Sequence, residues 1–383
     1  MKIGIVCYPT FGGSGVVATE LGMGLARKGH QIHFITYRQP VRLSFHHFQE
    51  NIYYHEVSGA DYPLFEYPPY DTALASKMVD VVKYENLDLL HVHYAIPHAM
   101  VAYIAKQILI TEGRYVPVIT TLHGTDITLV GSNRTFAPVV QFSINESDGV
   151  TAVSHSLKAE TLSLFDIKKD IRVIHNFIDF TRFKKSNKDH FKKIIAPDGE
   201  KILVHTSNFR KIKRVEDVIF IFKKVYAKIP SKLLLIGDGP ERQYMEELCR
   251  QIGLCNEIRF LGKQEAVEEL LAIADLFIMP SGNESFGLAA LEAMACEVPV
   301  ISTNVGGLPE MNIHGETGFM SEVGNIDEMA AYAIQLLSDE EMLQRFRENA
   351  LAQAQRFDIH NILPQYEAYY EEVLEKSLMK EAV

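Results

Sequence analysis

Short runs of β-branched and other apolar residues recur along this chain, each followed by a longer stretch whose apolar positions repeat every three to four residues. The first kind reads as buried strand and the second as helix, and their alternation is the pattern of parallel sheets with crossover helices. Residues 3–8 predict a first strand, 16–28 a helix stopped by Gly29, and 31–36 a second strand. Strands follow at 89–93, 118–122, 149–152 and 171–175, with helices such as 72–85 and 154–164 between them. After Asn176-Phe177-Ile178-Asp179 the pattern restarts. Residues 201–206 predict a new first strand, a helix runs from Arg214, and strands follow at 232–236, 257–261, 276–279 and 298–302. A last amphipathic helix spans 359–380, and its pattern alone leaves open which unit it caps. The expected fold class is therefore α/β, two doubly wound Rossmann-like domains, 1–175 and 176–358, facing across a cleft. Ligands are expected at the carboxyl ends of the strands.

The length of 383 residues suits two domains. The formal net charge of −11 argues against nucleic acid as a partner, because phosphate binding needs excess Lys and Arg. Cys7, Cys249, Cys255 and Cys296 form no CxxC pair and have no His at metal-ligand spacing, so no zinc site or disulfide framework is indicated. The N-terminal apolar run is broken early by Pro9, too soon for a signal peptide, and no apolar stretch reaches the roughly 18 residues a membrane span needs. A cytoplasmic protein without stable membrane association is expected; a homo-oligomer is left open.

Four segments carry candidate chemistry. Gly12-Gly13-Ser14-Gly15 lies between the first strand and first helix, where glycines bring backbone close to a phosphate or sugar. A merely tight turn explains it equally well. The next strand ends in Thr36-Tyr37-Arg38-Gln39, without the acidic residue of a dinucleotide site. Thr121-Leu122-His123-Gly124-Thr125-Asp126 leaves a strand end, and His123 there is placed to donate to a sugar hydroxyl or to cap its own loop. Asn208-Phe209-Arg210-Lys211-Ile212-Lys213-Arg214 puts four cations at a strand-to-helix turn, suited to a leaving diphosphate or to a solvated face. The strongest is Gly282-Asn283-Glu284-Ser285-Phe286-Gly287-Leu288, followed by Glu292. The amides of Ser285, Phe286, Gly287 and Leu288 open a helix able to hold phosphate, Glu292 is placed for a ribose diol, and Glu284 for sugar hydroxyls.

The run GNESFGLAALEAMACEVPVIST resembles the ExxxxxxxE nucleotide-sugar motif of the fourth glycosyltransferase family. The likeness extends over nearly the whole chain. Gly12–Gly15 matches the family's N-terminal glycine loop and His123 its first-domain histidine; Gly237, in Leu235-Ile236-Gly237-Asp238-Gly239-Pro240, falls in the turn beside the base. Phe260-Leu261-Gly262 and Gly306-Gly307-Leu308-Pro309-Glu310 match two further loops. The resemblance implies a GT-B fold, retention of anomeric configuration, and a final helix, 359–383, that returns to the first domain. It implies donor contacts from Gly13, Ser14, Gly15 and Gly237 and a catalytic set of Lys213, Glu284 and His123. One departure stands out: Asn208 occupies the place of the family's diphosphate arginine, so the second contact falls to Arg210 or to Asn208 itself.

The forms MKIGIVCYPTFGGSGVVATELG, HVHYAIPHA, TLHGTDITLVG and SNFRKIKR are similar to those of members that transfer N-acetylglucosamine from UDP-N-acetylglucosamine (UDP-GlcNAc) to L-malate, opening bacillithiol biosynthesis. With no obvious carboxylate nucleophile, front-face attack is expected, the leaving diphosphate being met by Lys213, Arg210 or Asn208 and the helix amides. No Asp-x-Asp pair stands at a strand end, so neither metal nor cofactor is expected. Malate calls for cationic and hydroxyl partners, and Arg134, Tyr94 and Thr121 are the first-domain candidates. The competing readings are a family member with a lipid or saccharide acceptor, and a sugar-nucleotide epimerase or binding protein on the same scaffold. Helix 100–110, with Lys106 as its single charge, argues against a lipid acceptor.

Overall fold

The computed structural model describes residues 1–43, 50–59, 69–129, 133–186 and 189–381. These form two compact units, Met1–Asn176 with His360–Val383, and Phe177–Ile359. The first unit contains strands β1 (Lys2–Val6), β2 (Gln31–Thr36), β3 (Ile52–Glu56), β4 (Leu89–His93), β5 (Val118–Leu122), β6 (Gly149–Ala152) and β7 (Ile171–Val173). Its helices are α1 (Gly13–Arg27), α2 (Tyr70–Glu85), α3 (Met100–Thr111), α4 (Ala137–Glu146) and α5 (His155–Leu164). The second contains β8 (Lys201–Thr206), β9 (Ser231–Ile236), β10 (Ile258–Gly262), β11 (Leu276–Met279), β12 (Val300–Thr303) and β13 (Gly318–Ser321). Its helices are α6 (Asp189–Ile195), α7 (Val215–Tyr226), α8 (Arg242–Gln251), α9 (Val267–Leu271), α10 (Leu288–Ala295), α11 (Leu308–Met311), α12 (Ile326–Ser338) and α13 (Glu340–Gln355). The last helix, α14 (Ile359–Glu381), belongs almost wholly to the first unit.

Both sheets are parallel throughout, in the orders β3-β2-β1-β4-β5-β6-β7 and β10-β9-β8-β11-β12-β13. In each, the order reverses beside the first strand, so β1 lies between β2 and β4, and β8 between β9 and β11. Strand loops on the two sides of that reversal diverge and leave a crevice at the carboxyl edge, where ligands of such sheets sit.

The alternation of faces explains the run Leu89-Leu90-His91-Val92-His93. Leu90 and Val92 enter a cluster with Leu74, Met78 and Val82 of α2 and Ala102 and Ala105 of α3. The intervening His91 projects to the opposite face, where its Nδ1 pairs with the Tyr370 hydroxyl of α14 at 2.7 Å. Tyr369 donates to the carbonyl of Val150 at 3.2 Å and accepts from its amide at 2.8 Å. Tyr366 and Tyr370 are fully buried. The helix is thus seated by aromatic burial, at about 1.5–3 kcal/mol per large side chain, with each polar tip satisfied. In the second unit, Leu203, Leu233, Leu235, Leu276 and Ile278 pack on Val218 and Phe222 of α7 and on Ala333 and Leu337 of α12. Strands β3 and β13 are absent from the hydrophobic pattern. The first is an edge strand with two exposed tyrosines, and the second is four residues beginning with glycine.

Candidate active site

In the second unit the candidate groups gather at the reversal between β8 and β11. The chain leaves β8 through Ser207-Asn208-Phe209 into a single short turn, Lys211–Lys213, and leaves β11 through Ser281–Glu284. Lys213 Nζ meets Glu284 Oε1 at 2.5 Å, and Ser281 Oγ donates to that same oxygen at 3.0 Å. Lys213 is 21% and Glu284 11% exposed, so the pair is shielded on most sides yet open on one. The two loops are tied directly, the Gly282 amide donating to the Ile212 carbonyl at 2.8 Å. Beneath them lies His205, which sequence reading did not single out. Its Nδ1 pairs with the Ile278 carbonyl and its Nε2 with Ser207 Oγ, both at 2.8 Å, so it links β8 to β11 under the ion pair. Burial holds its pKa down to about 4, leaving it neutral beside the ammonium.

Arg210 and Asn208 are both exposed. The Arg210 carbonyl accepts from the Lys213 amide at 2.8 Å, closing the turn that presents Lys213. Gly237 follows β9 and donates to the Gly262 carbonyl at 2.8 Å. Further on, the Gly307 amide donates to the Glu284 carbonyl at 2.9 Å. The neighbouring Gly306 has φ 57°, and a Cβ there would lie 1.8 Å from that same carbonyl oxygen, so only glycine lets this loop brace Glu284. Gly287 precedes α10, Leu288 opens it, and Ser285 and Leu288 are partly exposed. The Phe286 ring is buried edge-on against Phe357, so this residue offers a ligand its backbone only. Glu292, 6% exposed, stands on α10.

The first unit repeats the arrangement at the reversal between β1 and β4. Gly13, Ser14 and Gly15 start α1, and a Cβ on Gly15 would come within 2.4 Å of the Tyr8 carbonyl oxygen. The helix therefore approaches the strand end closely only with glycine there. Tyr94, just past β4, donates its hydroxyl to Ser14 Oγ at 2.7 Å across the reversal. His123 is buried past β5, its Nε2 at 2.8 Å from Nδ1 of His93, and burial lowers its pKa to about 3. The neutral imidazole has one nitrogen committed to His93.

Asp126 organises this corner. One oxygen accepts from the amides of His123 and Gly124, at 3.3 and 3.0 Å, and the other from the Ala95 amide at 2.8 Å. It thereby locks the loop after β5 to the turn after β4. Burial raises its carboxyl to about pH 6 against the opposing backbone amide bonds. The signal for it was present in the sequence as the acid three residues past His123, but its role depends on the contact to Ala95.

One acceptor candidate departs from expectation. Thr121 lies within β5, fully buried, with its hydroxyl engaged by His91 Nε2 and Thr151 Oγ1, each at 2.7 Å. It belongs to the internal network under α14 and has no free hydroxyl for an acceptor. Arg134 is exposed, in the turn before α4 and next to residues outside the described set. Among the described residues, no helix is long and apolar enough to cross a membrane. Lys106 is buried, paired with Asp148 at 3.0 Å, and so leaves the outer face of α3 uncharged.

Comparison with known proteins agrees with this geometry. The model of Glycosyltransferase Family 4 matches residues 11–182, and that of Glycosyl transferases group 1 matches residues 186–353. The N-acetyl-alpha-D-glucosaminyl L-malate synthase of Bacillus anthracis is 51% identical over 376 residues, covering 98% of this chain and 97% of that one. Among solved structures, the sucrose-phosphate synthase of Thermosynechococcus elongatus superposes with a TM-score of 0.82 at 20% identity, over 98% of this chain and all of the other. Anabaena HepE in complex with UDP-glucose does so at 0.80 and 24% identity, over 98% and 100%. With both halves matched by family models and a relative half identical along nearly its whole length, this chain belongs to the family 4 glycosyltransferases and is an enzyme of the two-domain GT-B type.

Proposed function

We propose that this enzyme transfers N-acetylglucosamine from UDP-GlcNAc to the hydroxyl of L-malate with retention at the anomeric carbon, the first step of bacillithiol assembly. The likeness to the Bacillus anthracis synthase over 98% of the chain carries the choice of substrates. The Lys213–Glu284 pair at the β8/β11 reversal supports the chemistry. The second unit takes the donor: Glu292 accepts from the ribose diol, the amides of Ser285–Leu288 and Lys213 hold the diphosphate, and Gly237 flanks the base. Arg210 or Asn208 supplies a second diphosphate contact. Glu284 receives sugar hydroxyls when Lys213 turns to the phosphate. From the first unit, the Gly13–Gly15 loop and His123 meet the donor, while Tyr94 and Arg134 hold the acceptor.

In the front-face step the malate hydroxyl oxygen bonds to the anomeric carbon as the bond from that carbon to the diphosphate oxygen breaks. The hydroxyl proton passes to the departing phosphate. Lys213 and the helix amides stabilise the charge that grows there, the position where preorganised donors contribute most. The test is UDP release with UDP-GlcNAc and a panel of hydroxy acids, with the product's anomeric configuration read by NMR. Malate-dependent release of UDP and an α-linked product are expected. Release that ignores malate, or a β-linked product, would refute the assignment.

A further inference from the structure

We propose that His33, His55 and Glu85 form a binding site for a divalent transition metal such as zinc, at the β3 edge of the first sheet. The three come from different elements, β2, β3 and the last turn of α2. The register pairs His33 with Tyr53, so His55, two positions on, lies on the same face as both. His33 Nδ1 and His55 Nε2 are 3.0 Å apart. Two nitrogens on one tetrahedral zinc, each at about 2.0–2.1 Å from it, stand about 3.3 Å apart. The spacing is therefore already close to what a shared cation requires. A ligand oxygen of Glu85 and the ring nitrogens all lie within 4.8 Å of one another, so a rotamer adjustment of this helix-end side chain completes a third ligand.

The surroundings preset the donors. The ring of Tyr53 stacks on His33 at 4.6 Å with the planes 13° apart, walling that side and holding the imidazole in place. The ammonium of Lys2 bonds the backbone carbonyl of Glu85 at 2.8 Å and leaves the carboxylate to the histidines. Two imidazoles and one carboxylate suit zinc, with nickel and copper as competitors, and do not suit calcium or magnesium, which take oxygen ligands. Among the described residues, β3 is an edge strand held to the sheet on one side only. A metal bound here pins it to α2, and binding to the folded chain alone stabilises that chain.

The probe is Co²⁺, titrated into the metal-stripped full-length chain and followed by its visible d–d bands, with Zn²⁺ competition. One equivalent is expected, with no thiolate charge-transfer band, which separates this site from the cysteines. His55→Ala and Glu85→Gln should each weaken binding by about tenfold or more, since even outer partners of a metal act on that scale. At one fixed zinc concentration, the melting temperature of the wild type should rise clearly more than that of either variant. If His55→Ala does not fold, Glu85→Gln decides alone, because its amide keeps the shape of the partly exposed carboxylate. Failure of the wild type to take up Co²⁺ overturns the proposal. Uptake undiminished in a folded variant means an adventitious ion only, and overturns it equally.

Discussion

Replacing Lys213 by Met keeps the aliphatic stem and removes the ammonium that we assign to the leaving diphosphate. In the structure that ammonium pairs with Glu284 Oε1 at 2.5 Å. A unit charge about 4 Å from a phosphate oxygen contributes about 4 kcal/mol at an effective dielectric near 20. Loss of one preorganised donor in an active site costs about 2.7–4 kcal/mol. Glu284, on the other side of the ammonium, offsets part of this, so a fall in kcat of about 10²–10³ is expected, with a smaller change in the donor KM. The variant also leaves Glu284 with Ser281 as its hydrogen-bond donor at 11% exposure, which costs about 1–3 kcal/mol of stability. Turnover must therefore be measured well below the melting transition, by UDP release with both substrates varied. Glu284→Gln and the double variant complete a cycle, and strong non-additivity is expected because the two side chains share one contact. A folded Lys213→Met enzyme with kcat within about threefold of wild type, or one altered only in malate KM, would refute the reasoning.

Three further outcomes follow from the geometry. Glu292→Ala should raise the donor KM strongly, since charge-assisted bonds to the two ribose hydroxyls contribute about 1.5–3 kcal/mol each; an unchanged KM in the folded variant excludes the role. Arg134→Ala should raise the malate KM and spare UDP affinity, and lactate should be a far poorer acceptor than malate; normal malate use by the variant makes Arg134 a surface residue. Asp126 has its carboxyl raised from 3.8 to about 6, so the folded state holds the proton more tightly than the unfolded one. Its contribution is then greatest below pH 3.8 and lost as pH rises through about 6. Urea unfolding of wild type and Asp126→Asn between pH 4 and 7 should show the wild type losing about 1–3 kcal/mol relative to the variant, and a flat difference would count against the shift.

The alternation of short apolar runs with helical periods was enough to read two parallel α/β sheets, because a buried parallel strand must be apolar on both faces and needs a crossover helix. It also placed the chemistry-bearing loops at strand carboxyl ends, since those loops are the segments between strand and helix. Edge strand β3 escaped because half-exposed residues such as Tyr53 and Tyr54 carry little apolar signal. Which loops meet was beyond the sequence. Ser14 and Tyr94 are 80 positions apart, and Lys213 and Glu284 are 71 apart, and nothing in their local pattern says that β1 lies beside β4 or β8 beside β11. Strand order is settled by the packing of whole layers, not by the residues that end each strand. The same holds for direction: Thr121 reads as a polar group at a strand end, yet the pleat turns its hydroxyl inward to His91 and Thr151. His205 and Asp126 are ordinary polar residues in the sequence, and become organising ones only because the tertiary fold brings Ile278 and Ala95 within hydrogen-bond reach. Local periodicity determines which elements form and which face each buries; the choice of neighbours is a global minimum of packing and hydrogen bonding, and the site exists only where those neighbours meet.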